Sequence, residues 1–341
     1  MSKDTFNLAI IVLNWNGAED TLNCVRSLQS QSLKPFVIVV DNNSSDDSVL
    51  QIENYISNGS DKDIILLKND KNLGFAGGIN TGLKYSIKNN YTFTGVLNPD
   101  AVAHKNWCEL LVDQLKARSS AGIAVGLLLH EDGKTIDSAG DIYTTWGLPG
   151  PRNRDEPTSS APKTPDYVFG ATGGGAIYRT SMFKKVAMFD ESFFMYYEDV
   201  DLSFRAQLSG FKIRYTPDAI AYHKQGASSK KVPGLAVYNT FKNLPMVFIK
   251  NVPSWLFFYI GVRFFLTYWL IFFSAIKNGN GWPAFKGFLA SVILWPHAFV
   301  RRFYIQNARK VSVIYIKSII HQGPLPNQTG LLKFRNFFTG R

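Results

Sequence analysis

Within the first hundred residues, one short apolar run after another stops at a polar turn, with helical spacing between the runs. Leu8 to Leu13 is continuously apolar, as a strand covered on both faces must be. Asn14-Trp15-Asn16-Gly17 closes it, and Ala18 to Gln29 then places Leu22, Val25 and Leu28 on one helical face. Phe36 to Val40 ends at Asp41-Asn42-Asn43-Ser44-Ser45-Asp46, before a helix over Ser48 to Tyr55. Asp63 to Leu67 precedes the segment Asn72 to Asn80, which opens a helix reaching about Asn89. Phe93 to Leu97 ends at Asn98-Pro99-Asp100. Strands joined by helical crossovers predict an α/β fold with a mostly parallel central sheet flanked by helices. Ligands of such sheets sit beyond the carboxyl ends of the strands, so these polar turns are site candidates by position alone.

The next stretch is less regular. Ile123 to Leu129 reads as a strand, Thr135 to Gly140 as a turn region, and Pro149 to Pro165 as an exposed loop near the site. Gly170 to Ala176 is flexible backbone before a short strand, Ala176 to Tyr178, and a short helix, Ser181 to Val186. Val200, Phe204 and Leu208 mark a helix that Gly210 caps. Strands over Phe211 to Tyr215 and Ala219 to His223 follow.

Charge divides the chain. The net charge is +11, yet no acid occurs after Asp218, where 16 of the 37 basic residues lie. The first 218 residues hold all 26 acids and are net acidic. A length of 341 residues favours about two domains, and the charge division after Asp218 falls close to their expected boundary, between an α/β unit over 1–230 and a basic, aromatic-rich, membrane-associated helical region over 231–341. Cys24 and Cys108 form no CxxC or Cys/His cluster, which argues against a disulfide scaffold and a structural zinc site. The apolar run Leu8 to Leu13 is too short for a signal peptide.

Several groups carry chemistry, each with two readings. Asp41 at a strand end can accept hydrogen bonds from a nucleobase or ribose, or cap the following helix. Asn98 and Asp100, two oxygen side chains two residues apart, suit Mg²⁺ or Mn²⁺, or form an ordinary Asn-Pro-Asp turn. Glu198-Asp199-Val200-Asp201 gathers three carboxylates; crowding raises at least one pKa toward that of a general base. Acidic side chains at a helix N-terminus are the alternative. An EF-hand fails because Phe204 stands where its glycine is needed. His223 is a metal ligand or a surface histidine at a strand end. Gly173 and Gly174 permit close approach of a sugar, or simply turn the chain. Neither a P-loop nor a GxGxxG fingerprint occurs, which disfavours P-loop NTPases and dinucleotide-binding dehydrogenases.

In their order these pieces resemble family 2 glycosyltransferases of the GT-A fold. The resemblance rests on Ile10 to Asn16, Val39 to Asp46, Asn72 to Asn80, Leu97 to Asp100, Gly173 to Ala176, Phe193 to Arg205 and His223. It covers residues 7 to 230 and is nearest in tone to rhamnosyltransferase-like bacterial members. The resemblance implies an inverting transfer of one sugar from a nucleotide-diphospho-sugar. It implies that Asn14, Asn16, Asp41, Asn72, Gly74, Asn80, Asn98 and Asp100 line the donor. Asp100 would bind Mg²⁺ or Mn²⁺ with His223, Asn98 replacing the first acid of the family's DxD motif. Asp199 would be the general base, and Glu198, Gly173 and Gly174 would face the acceptor. dTDP-L-rhamnose is the leading donor and a lipid-linked saccharide the acceptor, in cell-surface polysaccharide biosynthesis. A nucleotidyltransferase lacks its Gly-rich, basic triphosphate loop here, and an inactive adaptor on the same fold would lack donor hydrolysis.

The acid-free third has its own logic. Pro253 to Ile276 carries Arg263 as its one charge and is long enough to span a bilayer. A shorter stretch, Ala284 to Val300, is flanked by Trp282 and Trp295. Of the chain's 48 aromatics, 25 lie beyond Asp218, and Trp and Tyr favour membrane interfaces. Basic residues without acids favour an anionic leaflet. These features predict attachment at the cytoplasmic face of the cell membrane, by a helical hairpin that crosses or re-enters the bilayer or by amphipathic helices lying in the interface; a buried soluble subdomain is the third reading. The tail is too apolar, and its Lys and Arg too scattered, to favour nucleic acid. Gln306-Asn307-Ala308-Arg309 lacks the Trp of the processive synthases' motif, which points to single addition.

Overall fold

The structure, a computed structural model, describes residues 7–59, 63–224 and 232–326. The chain begins β1 (Leu8–Asn14), α1 (Ala18–Gln29), β2 (Phe36–Asp41), α2 (Ser48–Asn58), β3 (Ile64–Lys68), α3 (Gly74–Lys88) and β4 (Phe93–Leu97). These four strands are parallel, in the order β4-β1-β2-β3. The apolar run of β1 explains its central place. Ala9, Ile11 and Leu13 enter a core with Ala76, Ile79 and Leu83 of α3, and Leu8, Ile10 and Val12 enter another with Leu22, Val25 and Leu28 of α1. Full burial of such a side chain contributes roughly 1.5–3 kcal/mol, so a polar residue on either face would be costly. Close packing then sets the position of α3: a Cβ at Gly78 would lie 2.4 Å from Leu13, and one at Gly82 2.8 Å from Ile11.

Next come β5 (Ala101–Ala103), α4 (Trp107–Ala117), β6 (Ala121–His130), β7 (Ile136–Ser138), β8 (Asp141–Tyr143), β9 (Pro149–Pro151) and β10 (Asp166–Val168). They are followed by β11 (Gly175–Arg179), α5 (Phe183–Val186), α6 (Glu198–Leu208) and β12 (Lys212–His223). β11 runs antiparallel between β4 and β6, while β12 is parallel to β6. The sheet is therefore mixed, with its parallel half where the alternation predicts it.

Local details differ from the sequence reading. The segment read as a turn, Thr135 to Gly140, contains β7, which pairs with β6. The two strands expected over Phe211 to His223 are one strand, irregular between Thr216 and Ile220; Pro217 and Asp218 interrupt the apolar pattern without ending it. The Pro-rich loop contains β9 and a short 3₁₀ helix, Thr158–Ser160, and Arg152 is held by Asp166 at 2.8 Å. The helix predicted from Val200 begins at Glu198, so the carboxylates occupy its first turn.

The last third is helical: α7 (Leu235–Asn251), α8 (Ser254–Lys277), α9 (Gly281–Asn307) and α10 (Val313–Ile319). The boundary expected at residues 230 and 231 lies outside the described residues. Phe241, Leu244, Phe248 and Ile260 share one core with Tyr143, Phe169, Phe193 and Phe204, so α7 and α8 complete the globular unit. α9 crosses α7 closely, since a Cβ at Gly287 would lie 2.3 Å from the Tyr238 carbonyl oxygen. α8 and α9 are both long and apolar enough to cross a membrane. Each buries one face and exposes another, with Phe258 and Ile293 each 77% exposed.

Candidate active site

The carboxyl ends of β1 and β2 form the first part of the site. Asp41, buried, accepts from Asn14 Nδ2 at 2.7 Å and from the Ser44 hydroxyl at 2.6 Å and backbone N–H at 3.0 Å. Asp41 is thus the hub of a turn, and Asp46, not Asp41, accepts from the N–H at the start of α2. Asn14 also accepts from Thr21 at 2.8 Å, so its amide braces Asp41. Asn16, at φ 53°, accepts from Ser45 N–H at 2.7 Å. A second hub lies beside it: Asn42 donates to Asn72 Oδ1 and the Gly74 carbonyl and accepts from Leu73 N–H and Asn69. Asn72 accepts from Gly74 N–H at 2.8 Å. Asn80 stands apart from this group: it is buried and makes reciprocal bonds with the Phe189 backbone and a further one to Glu191.

Strand register makes the second part. β5 follows Asp100 immediately and pairs antiparallel with the end of β12, Ala101 opposite His223. Asp100 Oδ1 therefore lies 3.1 Å from His223 Nε2, and Asn98 Nδ2 lies 3.2 Å from the same nitrogen. On its other side His223 Nδ1 meets Asp137 Oδ2 at 2.7 Å, and Asp137 is paired with Arg154 at 2.5 Å. Burial alone would lower the His223 pKa, but the bonds to Asp100 and Asp137 and their charges push it up to about 9. These residues fit a divalent cation. Asp100 and His223 are a hard oxygen and an imidazole, and Asn98 Oδ1 beside them is buried without a hydrogen-bond partner. Asp137 on Nδ1 would leave Nε2 as the ligating nitrogen, the usual second partner of a metal-bound histidine. Among the described residues no cluster of three or more His, Cys, Asp or Glu is arranged for a metal, so a bound donor's phosphate oxygens would have to complete the shell.

The third part is the start of α6. Gly173 N–H donates to Asp199 Oδ2 at 2.7 Å, and Val200 N–H donates to Oδ1 at 2.8 Å. The neighbouring carbonyl of Gly174 accepts from Asn98 N–H at 3.0 Å. Two adjacent glycines thus tie the Asn98 strand end to Asp199, and a Cβ at Gly173 would lie 3.2 Å from the Asp199 carboxylate. Burial raises the Asp199 pKa against these backbone bonds. Burial, then the charge of Asp199, pushes Asp141 up to about 7 and Glu198 well above its ordinary value. Asp201 belongs to packing: it pairs with Arg205 at 2.9 Å and Lys250 at 2.8 Å.

The approach to α6 is strained. Phe194 (φ 64°, ψ −65°) is the centre of a γ-turn closed by Met195 N–H on the Phe193 carbonyl at 2.7 Å. Tyr196 and Tyr197 are left-handed, at φ 68° and 71°. Such conformations in bulky residues cost about 1–3 kcal/mol each and persist where the surroundings over-determine them. Sequence reading missed Asn42, Asp137, Asp141 and the tail residues behind this loop. Asp137 and Asp141 lie in segments without an apolar period, and the tail residues lie between Leu235 and Asn251, a stretch for which the sequence reading offered no element.

A large groove, about 670 Å³ and lined by Leu22, Gln29, Tyr55 and Ile64 among others, opens at the amino end of β3, away from these groups. No acid, base or cysteine lines it.

Comparison with known proteins places the arrangement. The family described as Glycosyl transferase family 2 matches residues 9–187. The low-salt glycan biosynthesis hexosyltransferase Agl10 of Haloferax volcanii is 26% identical over 247 residues, 70% of this chain and 74% of its own. The N-acetylglucosaminyl-diphospho-decaprenol L-rhamnosyltransferase of Mycobacterium tuberculosis is 29% identical over 152 residues, 40% of this chain and 48% of its own. The chain thus spans about half the length of that second relative. Among solved structures, the mannosyltransferase PcManGT from Pyrobaculum calidifontis, in complex with GDP-Man and Mn²⁺, aligns with a TM-score of 0.54 at 14% identity. That alignment covers 98% of this chain and 88% of the other, tail included.

Proposed function

The chain belongs to glycosyl transferase family 2 and is a glycosyltransferase of GT-A fold, and from that premise we propose that it moves one sugar from a nucleotide-diphospho-sugar to a hydroxyl of a lipid-linked saccharide, with inversion. The leading donor is dTDP-L-rhamnose, and the product enters cell-surface polysaccharide. The observation that carries this reading is the Gly173-Gly174 backbone, which joins Asn98 on the donor side to Asp199 on the acceptor side. The name of the M. tuberculosis relative supports both the rhamnose and the diphospho-lipid acceptor.

Each residue then has a task. Asn14, Asp41 and Ser44 hold the base pocket in shape, while the backbone around Asn72 and Gly74 flanks the sugar nucleotide. Asp100 and His223 would hold Mg²⁺ or Mn²⁺, with Asn98 offering an uncharged oxygen. When bound, that cation supplies neutralisation of the charge that develops on the leaving diphosphate. Asp199 accepts the proton of the acceptor hydroxyl as its oxygen attacks the anomeric carbon. Burial favours this role, because a raised pKa makes a carboxylate a stronger base near neutrality. Glu198 and the Gly173 and Gly174 backbone face the acceptor.

The tail fits an anionic membrane surface. α8 and α9 each lay one face on the protein and expose the other, an arrangement that favours one-sided immersion over spanning. Arg263 supports this: from the middle of α8 it bonds the Tyr259 carbonyl at 2.8 Å and stacks on the Tyr259 ring, keeping its charge beside an interfacial aromatic. The catalytic unit would stand at the cytoplasmic face, where its lipid-linked acceptor diffuses in two dimensions.

The test is a donor panel: purified protein, Mn²⁺, N-acetylglucosaminyl-diphospho-decaprenol and a set of nucleotide sugars. Rhamnosylation from dTDP-L-rhamnose is the expected result. Turnover with another sugar nucleotide instead would overturn the donor assignment, and no transfer from any of them would overturn the function.

A further inference from the structure

The strained loop before α6 touches both halves of the site, and the tail holds it from behind. On the donor side, the Phe194 carbonyl accepts from Ala76 N–H at 3.1 Å, at the start of α3. Gly74 (φ +68°) is pressed on the same carbonyl, where a Cβ would lie at 2.3 Å. On the acceptor side, left-handed Tyr196 and Tyr197 aim the first turn of α6, which carries Glu198 and Asp199. The γ-turn gives the Phe193 carbonyl a partner in Met195 N–H, but the left-handed residues that follow form no helix or sheet ladder, so the Met195 and Tyr196 carbonyls need outside donors.

α7 brings those donors. Asn243, fully buried, places Nδ2 at 3.0, 2.9 and 2.8 Å from the carbonyl oxygens of Phe193, Met195 and Tyr196. Lys242 adds its ammonium to the carbonyls of Ser192 at 3.1 Å and Phe193 at 3.0 Å. The Asn243 amide has one workable orientation, because a flip would set its oxygen against three carbonyl oxygens. Lys250, one helical face along, is buried between Asp190 at 2.6 Å and Asp201 at 2.8 Å. It fixes both ends of the segment, Asp190 before the loop and Asp201 within α6.

We propose that Asn243, assisted by Lys242, is a positioning residue for sugar transfer: it holds the Phe193–Tyr197 loop in the shape that sets Asp199 against the donor-side helix α3. The inference rests on Asp199 as the base. A helix from the acid-free third thereby enters the catalytic arrangement without touching substrate. The Met195 and Tyr196 carbonyls of the loop are met by a donor from beyond the first 218 residues.

The experiment uses the full chain in detergent or vesicles and three variants. Asn243→Leu keeps the volume and removes the donors; Asn243→Gln keeps the amide; Asp199→Asn removes the base. Kinetics are measured with dTDP-L-rhamnose and N-acetylglucosaminyl-diphospho-decaprenol, and amide hydrogen exchange is followed over residues 190–200 and within α7. For Asn243→Leu the expected result is a kcat at least tenfold lower, a donor KM within twofold of the parent, and faster exchange confined to the loop. Asn243→Gln recovers part of the rate. Parental exchange and kcat in Asn243→Leu would overturn the proposal, as would equal loosening of loop and α7, which marks mere destabilisation. If Asn243→Leu does not fold, Asn243→Gln decides alone: a lowered kcat with exchange loosened in the loop but not in α7 supports the amide's role, and a parental kcat beside a loosened loop overturns it. Asp199→Asn separates the two layers. Parental turnover in Asp199→Asn sinks the base assignment, whereas an inactive Asp199→Asn beside a parental Asn243→Leu sinks only the positioning role.

Discussion

Asp100 Oδ1 and His223 Nε2 lie 3.1 Å apart although 123 residues separate them in the chain. The register of β5 on β12 makes the pair, and Asp137 fixes the imidazole from behind.

If this pair holds the cation, Asp100→Ala should weaken Mn²⁺-supported dTDP binding at least tenfold, and EDTA should abolish transfer. Asp137→Asn, which loosens the ring and removes the charge paired with Arg154, should cost about 10- to 100-fold, the usual range for an outer partner of a metal-bound histidine. Calorimetric titration of dTDP with and without Mn²⁺ checks this. Equal dTDP affinity in both conditions would end the metal assignment.

Asp199→Asn keeps the shape and one of the two backbone N–H contacts while removing the base. Transfer should fall about 10²- to 10⁴-fold, with dTDP affinity nearly unchanged. Single-turnover rates beside equilibrium binding give the comparison; an Asn variant near the parental rate is the contrary outcome.

The pH dependence has a defined sign. Asp199 acts deprotonated, and burial raises its pKa, so kcat/KM rises with pH along an acid limb. Asp141 and Asp199 repel each other as anions. Removing one charge in Asp141→Asn lets Asp199 ionise at lower pH, so the acid limb should move toward acid. A limb that stays in place or moves toward base would show that the two carboxylates do not titrate together.

Lys250 is the counterion of two buried carboxylates. Its charge holds the Asp190 carboxyl, despite burial, well below the usual carboxylate range, and lowers that of Asp201 too. Groups with depressed pKa stabilise the fold above the unfolded value of about 3.9 and lose that contribution as pH falls through the folded value. Lys250→Met removes the cation shared by the two anions, leaving Asp201 with Arg205 alone, and should destabilise by about 3–5 kcal/mol near neutrality. The deficit should shrink in more acidic buffer, where the stranded carboxylates take up protons. Denaturant melts across pH test both statements.

Phe258 and Ile293, each 77% exposed on α8 and α9, should lie within the membrane interface. Phe258→Glu with Ile293→Glu should sharply reduce flotation with phosphatidylglycerol-containing vesicles while donor hydrolysis in detergent persists. Undiminished flotation would move the contact surface elsewhere.

The parallel half of the sheet was legible because burial on both faces forces continuous apolar runs, as in Leu8 to Leu13, and because each run stops at a turn. The motif residues Asp41, Asp100, Asp199 and His223 were legible by position at element ends and by family resemblance. Other features were not. Asp137 reaches His223 only through the pairing of β7 with β6, a long-range register that no local pattern encodes. Asn243 and Lys242 are polar residues on a helix of mixed character, and ordinary reading turns such residues toward water. Their burial follows from the carbonyls of Phe193, Met195 and Tyr196, whose strained geometry is likewise invisible in the string Phe-Phe-Met-Tyr-Tyr. The division of charge after Asp218 marked the change in composition correctly, but structural continuity runs past it.

That continuity bears on how relatives could be recombined. Chimaeras that trade donor specificity are commonly cut where composition changes, which here means near Asp218. Such a cut would leave Tyr143, Phe169, Phe193 and Phe204 facing a foreign helix, since their packing partners Phe241, Leu244 and Phe248 belong to α7. The exchangeable unit therefore includes α7 and the inward faces of α8 and α9, and only the outward faces of α8 and α9 are free to vary with the membrane a descendant inhabits.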